Sequence, residues 1–289
     1  MSAIAEQRLP RRQAVDEVHV YEPHEARLPA LRPYIKEVWR RRHFVFELAR
    51  SSLRAQHYNT GLGQLWLILN PLLLALVLMA LVTVIRGGSR GSEFFAHLVL
   101  CLFAFRIAST SVKQGAKSVT SGGRLILNVV FPRAVLPLQS VMTAFMRFLP
   151  TVVLYAILHV AVGLPVGPQL LWAIPIVAFI VVFALGMAML VAAVQVYFRD
   201  MANFLTYFTR IWLYASPVIY YADEVPDRFK PILMANPLYP MLAALSDAVT
   251  QGENPSAQFL AAGLAWAVVG LLVGAFVFLS REREFAVRL

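Results

Sequence analysis

Residues 170–198 read LLWAIPIVAFIVVFALGMAMLVAAVQVYF, and this stretch decides the fold. It contains no charged residue, and it is longer than the roughly 20 apolar residues that a helix needs to cross the hydrocarbon core of a bilayer. Its apolar residues are continuous, whereas a strand of a membrane β-barrel alternates apolar and polar residues. The stretch therefore predicts a membrane-spanning helix.

Five further apolar runs of similar length predict an all-α membrane protein with a six-helix domain over residues 62–281. Hydrophobic residues make up 59% of the 289 residues and charged residues 15%, against about 25% in a soluble domain. The mean hydropathy is +0.64. This composition excludes a soluble enzyme, a disordered chain and a disulfide scaffold. The predicted spans are 64–85, 94–112, 148–166, 170–198, 202–221 and 258–280.

The basic residues predict the orientation of these spans. If the N-terminus is cytoplasmic, nineteen Lys and Arg lie in cytoplasmic segments and four lie in outer loops. Lys and Arg are retained on the cytoplasmic side of membrane proteins. Both termini are therefore predicted to be cytoplasmic, and the basic pI near 10 reflects a membrane protein rather than a nucleic-acid partner.

The segments outside the spans have distinct patterns. Residues 1–32 are predicted to be a mobile cytoplasmic tail, and residues 282–289 a short cytoplasmic tail. Residues 33–57 place apolar side chains opposite arginines at helical spacing, which is typical of an amphipathic helix in the headgroup region. A soluble helix that packs on a partner is the alternative. In the large outer loop, residues 231–234 and 237–245 predict short helices that dip toward the bilayer.

The fifth span carries a polar stripe. At 100° per residue, Asn203, Tyr207, Arg210 and Tyr214 share one side of the helix, whereas the opposite side is apolar. Polar side chains within spans usually face a bundle interior or water. The stripe predicts the wall of a polar passage, and a seam of interhelical hydrogen bonds is the alternative.

Motifs for chemistry are missing from the sequence. It contains no phosphate-binding loop, no H-E-x-x-H, no G-x-S-x-G and no paired carboxylates within a span. We therefore predict no catalytic residue and no metal site, and we interpret His97 and His159 as packed bundle histidines. A polar passage in such a chain either takes its energy from another polypeptide or is a passive channel.

Four stretches together resemble the membrane subunit of ABC-2 type exporters of lipid-linked polysaccharides such as O-antigen, teichoic acid or cell-wall galactan. They are L-G-Q-L-W at 62–66 with N-P-L-L at 70–73, L-I-L-N-V-V-F-P-R-A-V-L-P at 125–137, Y-F-R-D at 197–200, and S-P-V-I-Y at 216–220 with N-P at 236–237. Each stretch is weak alone. Their order relative to all six spans carries the resemblance.

The resemblance implies a homodimer in the bacterial inner membrane that works with two copies of a separate cytoplasmic ATPase. ATP and Mg would then be bound by that subunit, and this chain would bind no cofactor and no nucleic acid. It also implies a cytoplasmic coupling helix near 115–127, a gate helix near 134–147 and re-entrant helices in the outer loop. Candidate ATPase-coupling residues are Lys117, Ser118, Arg124, Leu125, Arg199 and Asp200.

The same resemblance, with the polar stripe, suggests substrate contacts. Aromatic rings with polar tips suit sugars, and arginine suits a pyrophosphate. Candidate lining residues are Tyr155, Asn203, Thr206, Tyr207, Arg210, Tyr214, Tyr220 and Tyr221. Candidate contacts of the lipid pyrophosphate are Arg54, Arg133 and Arg147.

The predicted function is therefore ATP-driven export of a lipid-linked polysaccharide, with no enzymatic step on this chain. Cell-wall galactan is the first choice of cargo, because arginine-rich and lysine-poor usage is typical of a GC-rich genome. Alternatives are an ABC-2 exporter of O-antigen, teichoic acid, a drug or a lipid, a membrane-embedded glycosyl- or phosphotransferase, and a passive channel.

Overall fold

A computed structural model of the chain describes residues 30–56, 63–88, 90–129 and 131–288. The predicted tail over 1–32 falls outside this description except for residues 30–32, of which the last two begin the first helix. The described residues form α-helices, short 3₁₀ and π turns, and connecting loops. The α-helices are α1 Leu31–Arg40, α2 Arg42–Gln56, α3 Trp66–Arg86, α4 Gly91–Ser121, α5 Gly123–Asn128, α6 Val135–Val162, α7 Ala173–Tyr197, α8 Met201–Tyr214, α9 Lys230–Met234, α10 Leu238–Ser246, α11 Ala257–Arg281 and α12 Phe285–Arg288.

Five helical segments, which contain α3, α4, α6, α7 and α11, have the length and apolar composition to cross a membrane. They span 21 to 31 residues each. The bent pair of α9 and α10, with its helices at 118°, raises the count to six if it is taken as one span. The prediction of an all-α protein with several membrane-spanning helices is thus confirmed.

Helix α4 is the centre of the bundle. The most apolar part of α4 is 83% buried within the chain, against 22% for α3 at the periphery. It packs against α3, α6, α7, α8 and α10. Since α4 is covered on most sides, the side chains that it leaves open are informative about function.

Helices α7 and α11 approach each other at the level of their backbones. A Cβ atom on Gly186 would lie 2.1 Å from the carbonyl oxygen of Gly270, and a Cβ on Gly274 would fall within van der Waals overlap of Gly186. Only glycine permits such contact. The Gly270 and Gly274 pair of the sixth predicted span is therefore used within this chain, in packing of the small-xxx-small kind.

The predicted fifth span ends earlier than expected. Helix α8 stops at Tyr214, whereas the prediction continued to residue 221. Pro217 disfavours the helical conformation at the residue before it, which explains the stop. The amide of Asn236 donates to the carbonyl oxygen of Ala215 at 3.0 Å, so the released helix end is satisfied.

The 14-residue α8 is not one of the five helices long enough to cross a membrane, and the unwound segment that follows it is buried in protein. Trp212 contacts Phe105 of α4, with ring centroids 5.6 Å apart, and the carbonyl oxygen of Tyr220 lies 3.2 Å from Nε2 of His97, further along α4. Ser216, Pro217 and Val218 are buried. Non-helical backbone at membrane depth is tolerated where protein covers it.

Two further boundaries also differ from the prediction. Residues 113–121, which follow the end of the second predicted span at residue 112, continue α4, because Val112, Ala116 and Val119 recur at helical spacing and are buried. The coupling helix predicted near 115–127 is thus the end of α4 followed by the short α5. The gate helix predicted at 134–147 is the first half of α6, which runs unbroken to Val162.

Helices α1 and α2 and the residues after α11 lie on one side of the bundle. The predicted amphipathic helix is divided at Arg41 into α1 and α2, and α2 packs on α6 through the buried Val45 and Ala49. The residues after 281 are not a loose tail, because Phe285 is fully buried and its ring packs 5.1 Å from Phe278.

At the opposite end, the predicted short helices of the outer loop are present as α9 and α10. All nine residues of α10 are buried, and the helix packs on α4, α7 and α11. Ser246 of α10 lies 2.7 Å from Nδ1 of His97, whose Nε2 faces a carbonyl oxygen and must therefore donate. His97 is a packed bundle histidine, as predicted.

Candidate functional site

In the second half of α4, all the residues that are not buried are polar. From residue 106 to residue 121, every residue is buried except a set of polar ones spaced by one, three or four positions. This spacing keeps them on one stripe of the helix. The set is Arg106, Thr110, Lys113, Gln114, Lys117, Thr120 and Ser121.

Helix α8 extends this polar surface. Its buried side, which includes Leu205 and Trp212, packs toward α4 and α7, while the predicted polar stripe is exposed. Tyr207 and Tyr214 are 66% and 52% exposed. Lys113 of α4 lies within electrostatic range of Arg210. The predicted lining residues on this face are Asn203, Thr206, Tyr207, Arg210 and Tyr214.

Three other predicted lining residues pack inside the chain instead. Tyr155 is only 7% exposed within the core of α6. Tyr220 donates to the carbonyl oxygen of Ala215 at 3.2 Å, and the ring of Tyr221 lies 4.3 Å from that of His97. The prediction extrapolated an ideal helix past Tyr214. Because the chain unwinds there, the stripe does not continue to residues 220 and 221.

A cavity of about 140 Å³ opens between α3, α4 and α6. Arg106 enters it from α4 and Arg147 from α6, and the two charges lie within electrostatic range of each other. The cavity is lined by Trp66, Leu67, Asn70, Pro71, Phe103, Arg106, Ile107, Thr110, Ala144, Arg147, Phe148 and Thr151. Sequence reasoning selected Arg147 but passed over Arg106, although an arginine inside a predicted span was a visible signal.

The three predicted pyrophosphate contacts do not share one site. Arg54 is exposed on α2 and does not line the cavity between α3, α4 and α6. Arg133 lines a second cavity, of about 250 Å³, at the C-terminal end of α11. There its backbone N–H donates to Oε1 of Glu282 at 2.7 Å and its guanidinium donates to the Glu282 carbonyl oxygen. Arg133 is thus held in a structural role in this conformation.

Tyr34 of α1 completes the network around Arg133. Its hydroxyl accepts a hydrogen bond from the backbone N–H of Ala134 at 3.2 Å. Burial, followed by the nearby carboxylate of Glu282, raises the pKa of Tyr34 well above its ordinary value. Tyr34 therefore remains a neutral hydrogen-bonding group that connects α1 to the segment before α6 and the end of α11.

The predicted coupling residues occupy different environments. Lys117 is exposed, whereas Ser118 is buried and its hydroxyl donates to the carbonyl oxygen of Gly115 at 2.7 Å. Leu125 of α5 is partly buried against the cluster that includes Val45, Phe278 and Phe285. The side chain of Arg124 lies outside the described set. Arg199 and Asp200 are exposed in the α7–α8 turn.

The α7–α8 turn presents an aromatic residue beside its charges. Phe198 is 70% exposed, next to Arg199 and Asp200. The side-chain amide of Gln195 donates to the carbonyl oxygen of Arg199 at 2.7 Å, which fixes the turn. An exposed aromatic residue with flanking charges on a fixed turn is suited to contact another protein.

Comparison with known proteins identifies the family. The model of the ABC-2 type transporter family matches residues 45–249. An O-antigen export system permease protein RfbA of Myxococcus xanthus is 31% identical over 257 residues, which cover 87% of this chain and 97% of the relative. A protein of the same name from Klebsiella pneumoniae is 24% identical over 240 residues, covering 83% of this chain and 92% of the relative. The chain therefore belongs to the ABC-2 type transporter family.

Proposed function

We propose that this chain is the translocation subunit of an exporter that moves a lipid-linked polysaccharide across the membrane, driven by ATP hydrolysis on a separate subunit. The observation that carries the proposal is the polar face of α4, which the exposed polar residues of α8 extend beside Phe204 and Ile211 on an otherwise apolar bundle. Exposed tyrosines on that face suit a glycan, because their rings pack on sugar C–H groups and their hydroxyls bond sugar hydroxyls.

O-antigen is the cargo that we place first. Both relatives named above are described as O-antigen export system permeases, and each match covers more than four-fifths of this chain. Cell-wall galactan, which the sequence analysis favoured only because the chain is rich in arginine and poor in lysine, becomes the second choice. Both cargoes would contact the same polar face.

A homodimer explains why the polar face lies on the outside of one copy. Exposed to lipid, Arg210, Lys113 and the neighbouring polar groups would be costly to solvate. A second copy related by a two-fold axis would enclose the faces of both copies around a polar passage. We therefore propose that two copies of this chain form the pathway.

The energy source would be a cytoplasmic ATPase bound at α5 and the α7–α8 turn. Phe198, Arg199 and Lys117 are exposed at this end of the bundle and are available to it. We propose the orientation from the excess of basic residues. Tyr34 of α1 and Glu282 after α11 both bond the segment before α6, so these two elements lie on the same side of the bundle, which supports it. ATP and Mg would be bound by the ATPase rather than by this chain.

The decisive experiment measures polysaccharide at the outer surface in cells depleted of the natural protein and complemented with variants. Replacement of Tyr207 and Tyr214 together by alanine should reduce export about tenfold or more, because two sugar-stacking rings are lost. Phe276→Ala, which removes an exposed aromatic ring from α11, is the matched control and should export normally.

Two results would contradict the proposed function. One is normal export by the Tyr207→Ala/Tyr214→Ala variant at normal protein level. The other is ion conductance or glycan flux by the purified chain without any ATPase, which would indicate a passive channel. Accumulation of lipid-linked glycan on the cytoplasmic side after depletion would support the proposal.

A further inference from the structure

The polar face of α4 and α8 has a net positive charge. Three of its side chains, Lys113, Lys117 and Arg210, are cationic and exposed on one copy of the chain. Arg106, which is partly exposed, lies on the same stripe of α4. The one acidic residue of α4 is Glu93, in its first turn, and α8 contains none. The face therefore provides positive charge without a carboxylate of its own helices to balance it.

These cations lie close enough to act on one another. The charges that act on Lys113 are those of Arg106 and Arg210, and both are positive. Within the part of the chain that the structure describes, no carboxylate forms an ion pair with any of these three side chains. Repulsion between like charges raises the free energy of the face, and more so where water is excluded. An anion that binds between them lowers it.

The depth of two of the cations is informative. Retention of basic residues on the cytoplasmic side explains Lys117, near the end of α4, but not Arg106 or Arg210. Arg106 is the middle residue of α4, fifteen residues from either end. Arg210 is the tenth residue of α8, about 13 Å from its start at 1.5 Å per residue. Charged side chains at such depth are costly unless water or a counter-charge stabilises them.

The positive charge is also spread along the helix axis. Arg106 and Lys117 are eleven residues apart on α4, which corresponds to about 16 Å. This distance is longer than one pyrophosphate group, so a single lipid headgroup cannot neutralise the whole face at once. A polymer with negative charges at regular intervals can do so.

Pairing of two copies would increase the positive charge of the passage. A two-fold axis brings the same face of each copy to the centre. Because neither α8 nor the part of α4 beyond Glu93 contains an acid, the face of one copy offers the other no counter-charge. The balancing charge then comes from small anions or from the cargo.

We propose that the passage is selective for an acidic polysaccharide, one whose repeating unit carries a carboxylate or a phosphate. The inference rests on the proposed function, since it names the charge of the exported glycan. An acidic glycan gains charge-assisted hydrogen bonds to Lys113 and Arg210 and takes the place of small anions. Its rings still pack on the exposed Tyr207 and Tyr214.

The first test identifies the charge of the natural cargo. The polysaccharide that disappears from the surface of cells depleted of the natural protein is purified from undepleted cells, freed of its lipid, and analysed for uronic acid and phosphate. We expect one of these groups in the repeating unit. A glycan with neither overturns the inference and leaves the proposed function standing. If depletion removes no polysaccharide, the proposed function fails and the inference fails with it.

The second test removes the charges. Lys113→Gln/Arg210→Gln should reduce surface polysaccharide about tenfold or more, because two charge-assisted contacts are lost. Lys113→Arg/Arg210→Lys keeps both charges and should export nearly normally. Arg228→Gln makes the same kind of change on the exposed outer loop and is the matched control. Immunoblots of the membrane fraction verify equal protein levels.

Two results of the second test contradict the inference. One is normal export by Lys113→Gln/Arg210→Gln at normal protein level. The other is reduced export of a glycan that the first test finds to be neutral, which would assign the two charges to the pyrophosphate of the carrier lipid.

A binding measurement on the purified natural chain keeps the inference testable if the glutamine variant does not accumulate. The probes are oligogalacturonate and its methyl ester, which have the same sugar ring with and without the carboxylate charge. We expect tighter binding of oligogalacturonate, with a difference that shrinks at high salt because ions screen exposed charges. Equal binding of the two probes at low salt overturns the inference.

Discussion

Two pairs of arginines lie at different levels of the bundle and have opposite surroundings. Near the outer loop, Arg86 lies 3.1 Å from Oε2 of Glu224, and Arg90 bonds the same carboxylate while its guanidinium lies 4.0 Å above the ring of Phe94. In the inner cavity, Arg106 and Arg147 are neighbours, and no acidic side chain is among the described residues that line it.

The two pairs show that the same residue type can lie beside a shared acid or beside another arginine. The outer pair shares Glu224, which comes from a distant part of the chain, so it fastens the α3–α4 loop to the segment after α8. The inner pair lies in a stretch of 106 residues without an acid. Any acid beside the inner pair would therefore have to come from another part of the sequence.

The largest effect is expected when the inner pair is given an acid. Arg106→Glu would form an ion pair with Arg147 and so imitate the outer pair inside the cavity. We expect outer-surface polysaccharide to fall about 100-fold if an anionic group of the cargo passes this cavity, since reversal of one of its two charges would cost about 3 kcal/mol of attraction for that group. Arg228→Glu is the control. Normal export by Arg106→Glu would show that the inner pair has no part in transport.

The next largest effect is expected for the uncharged hydrogen bonds that Asn236 makes at the end of α8. The side chain of Asn236 accepts from the indole of Trp212 at 2.7 Å and donates to Ala215. Asn236→Ala leaves these buried groups unsatisfied, so we expect a loss of about 2 to 3 kcal/mol of unfolding free energy. Thermal unfolding of the purified protein measures it, with the exposed Asn203→Ala as control. Equal melting temperatures would mean that the end of α8 is held by something else.

A smaller effect is expected when the outer pair loses its acid. Glu224→Ala turns this pair into two neighbouring arginines without their shared carboxylate. Because Glu224 and Arg86 are partly exposed to solvent, we expect a loss of about 1 to 2 kcal/mol. Thermal unfolding at low and high salt measures it, and the exposed Asp223→Ala serves as control. If Glu224→Ala were instead more stable than the natural chain, the shared carboxylate would not stabilise the outer arginines.

The smallest effect belongs to a surface ion pair, which sets a baseline for both arginine pairs. Nε of Arg41 donates to Glu37 at 2.7 Å, and this hydrogen bond lowers the pKa of the Glu37 carboxyl. A lowered pKa stabilises the fold above the ordinary pKa of the group, and this contribution is lost as pH falls through the lowered value. Glu37→Gln should therefore differ slightly from the natural chain at pH 7 and coincide with it in strong acid. The measurement is the melting temperature of Glu37→Gln across pH, with Glu47→Gln as the control. A difference from the natural chain that grows as pH falls would contradict the prediction.

The sequence was sufficient for the membrane-spanning class and for one face of the site. Apolar runs are visible in the sequence, so five of the six predicted spans correspond to α3, α4, α6, α7 and α11, whereas the predicted span 202–221 corresponds to the shorter α8. The stripe from Asn203 to Tyr214 was also predictable, because a regular helix converts spacing into direction. Its exposure on one copy of the chain agrees with that geometry.

The sequence was insufficient where tertiary contacts decide the local structure. The unwound end of α8 depends on Asn236, more than twenty residues away, and such a partner cannot be recognised from spacing. The continuation of α4 through Lys113 and Lys117 depends on Val112, Ala116 and Val119, whose buried side is hidden among polar residues in the sequence. The meeting of Arg106 with Arg147 likewise requires knowing which helices are neighbours.

The glycine contacts of α7 have a mechanical consequence. Gly186 locks α7 to α11, and a Cβ on Gly115 of α4 would lie 2.6 Å from Ala188, so these three helices share a spine with no room to slide. Opening and closing of a passage would then fall to α3 and α8, which pack less extensively on these three helices. Paired spin labels on α7 and α11 should keep one fixed separation throughout a transport cycle, while a label on α8 changes its distance from both.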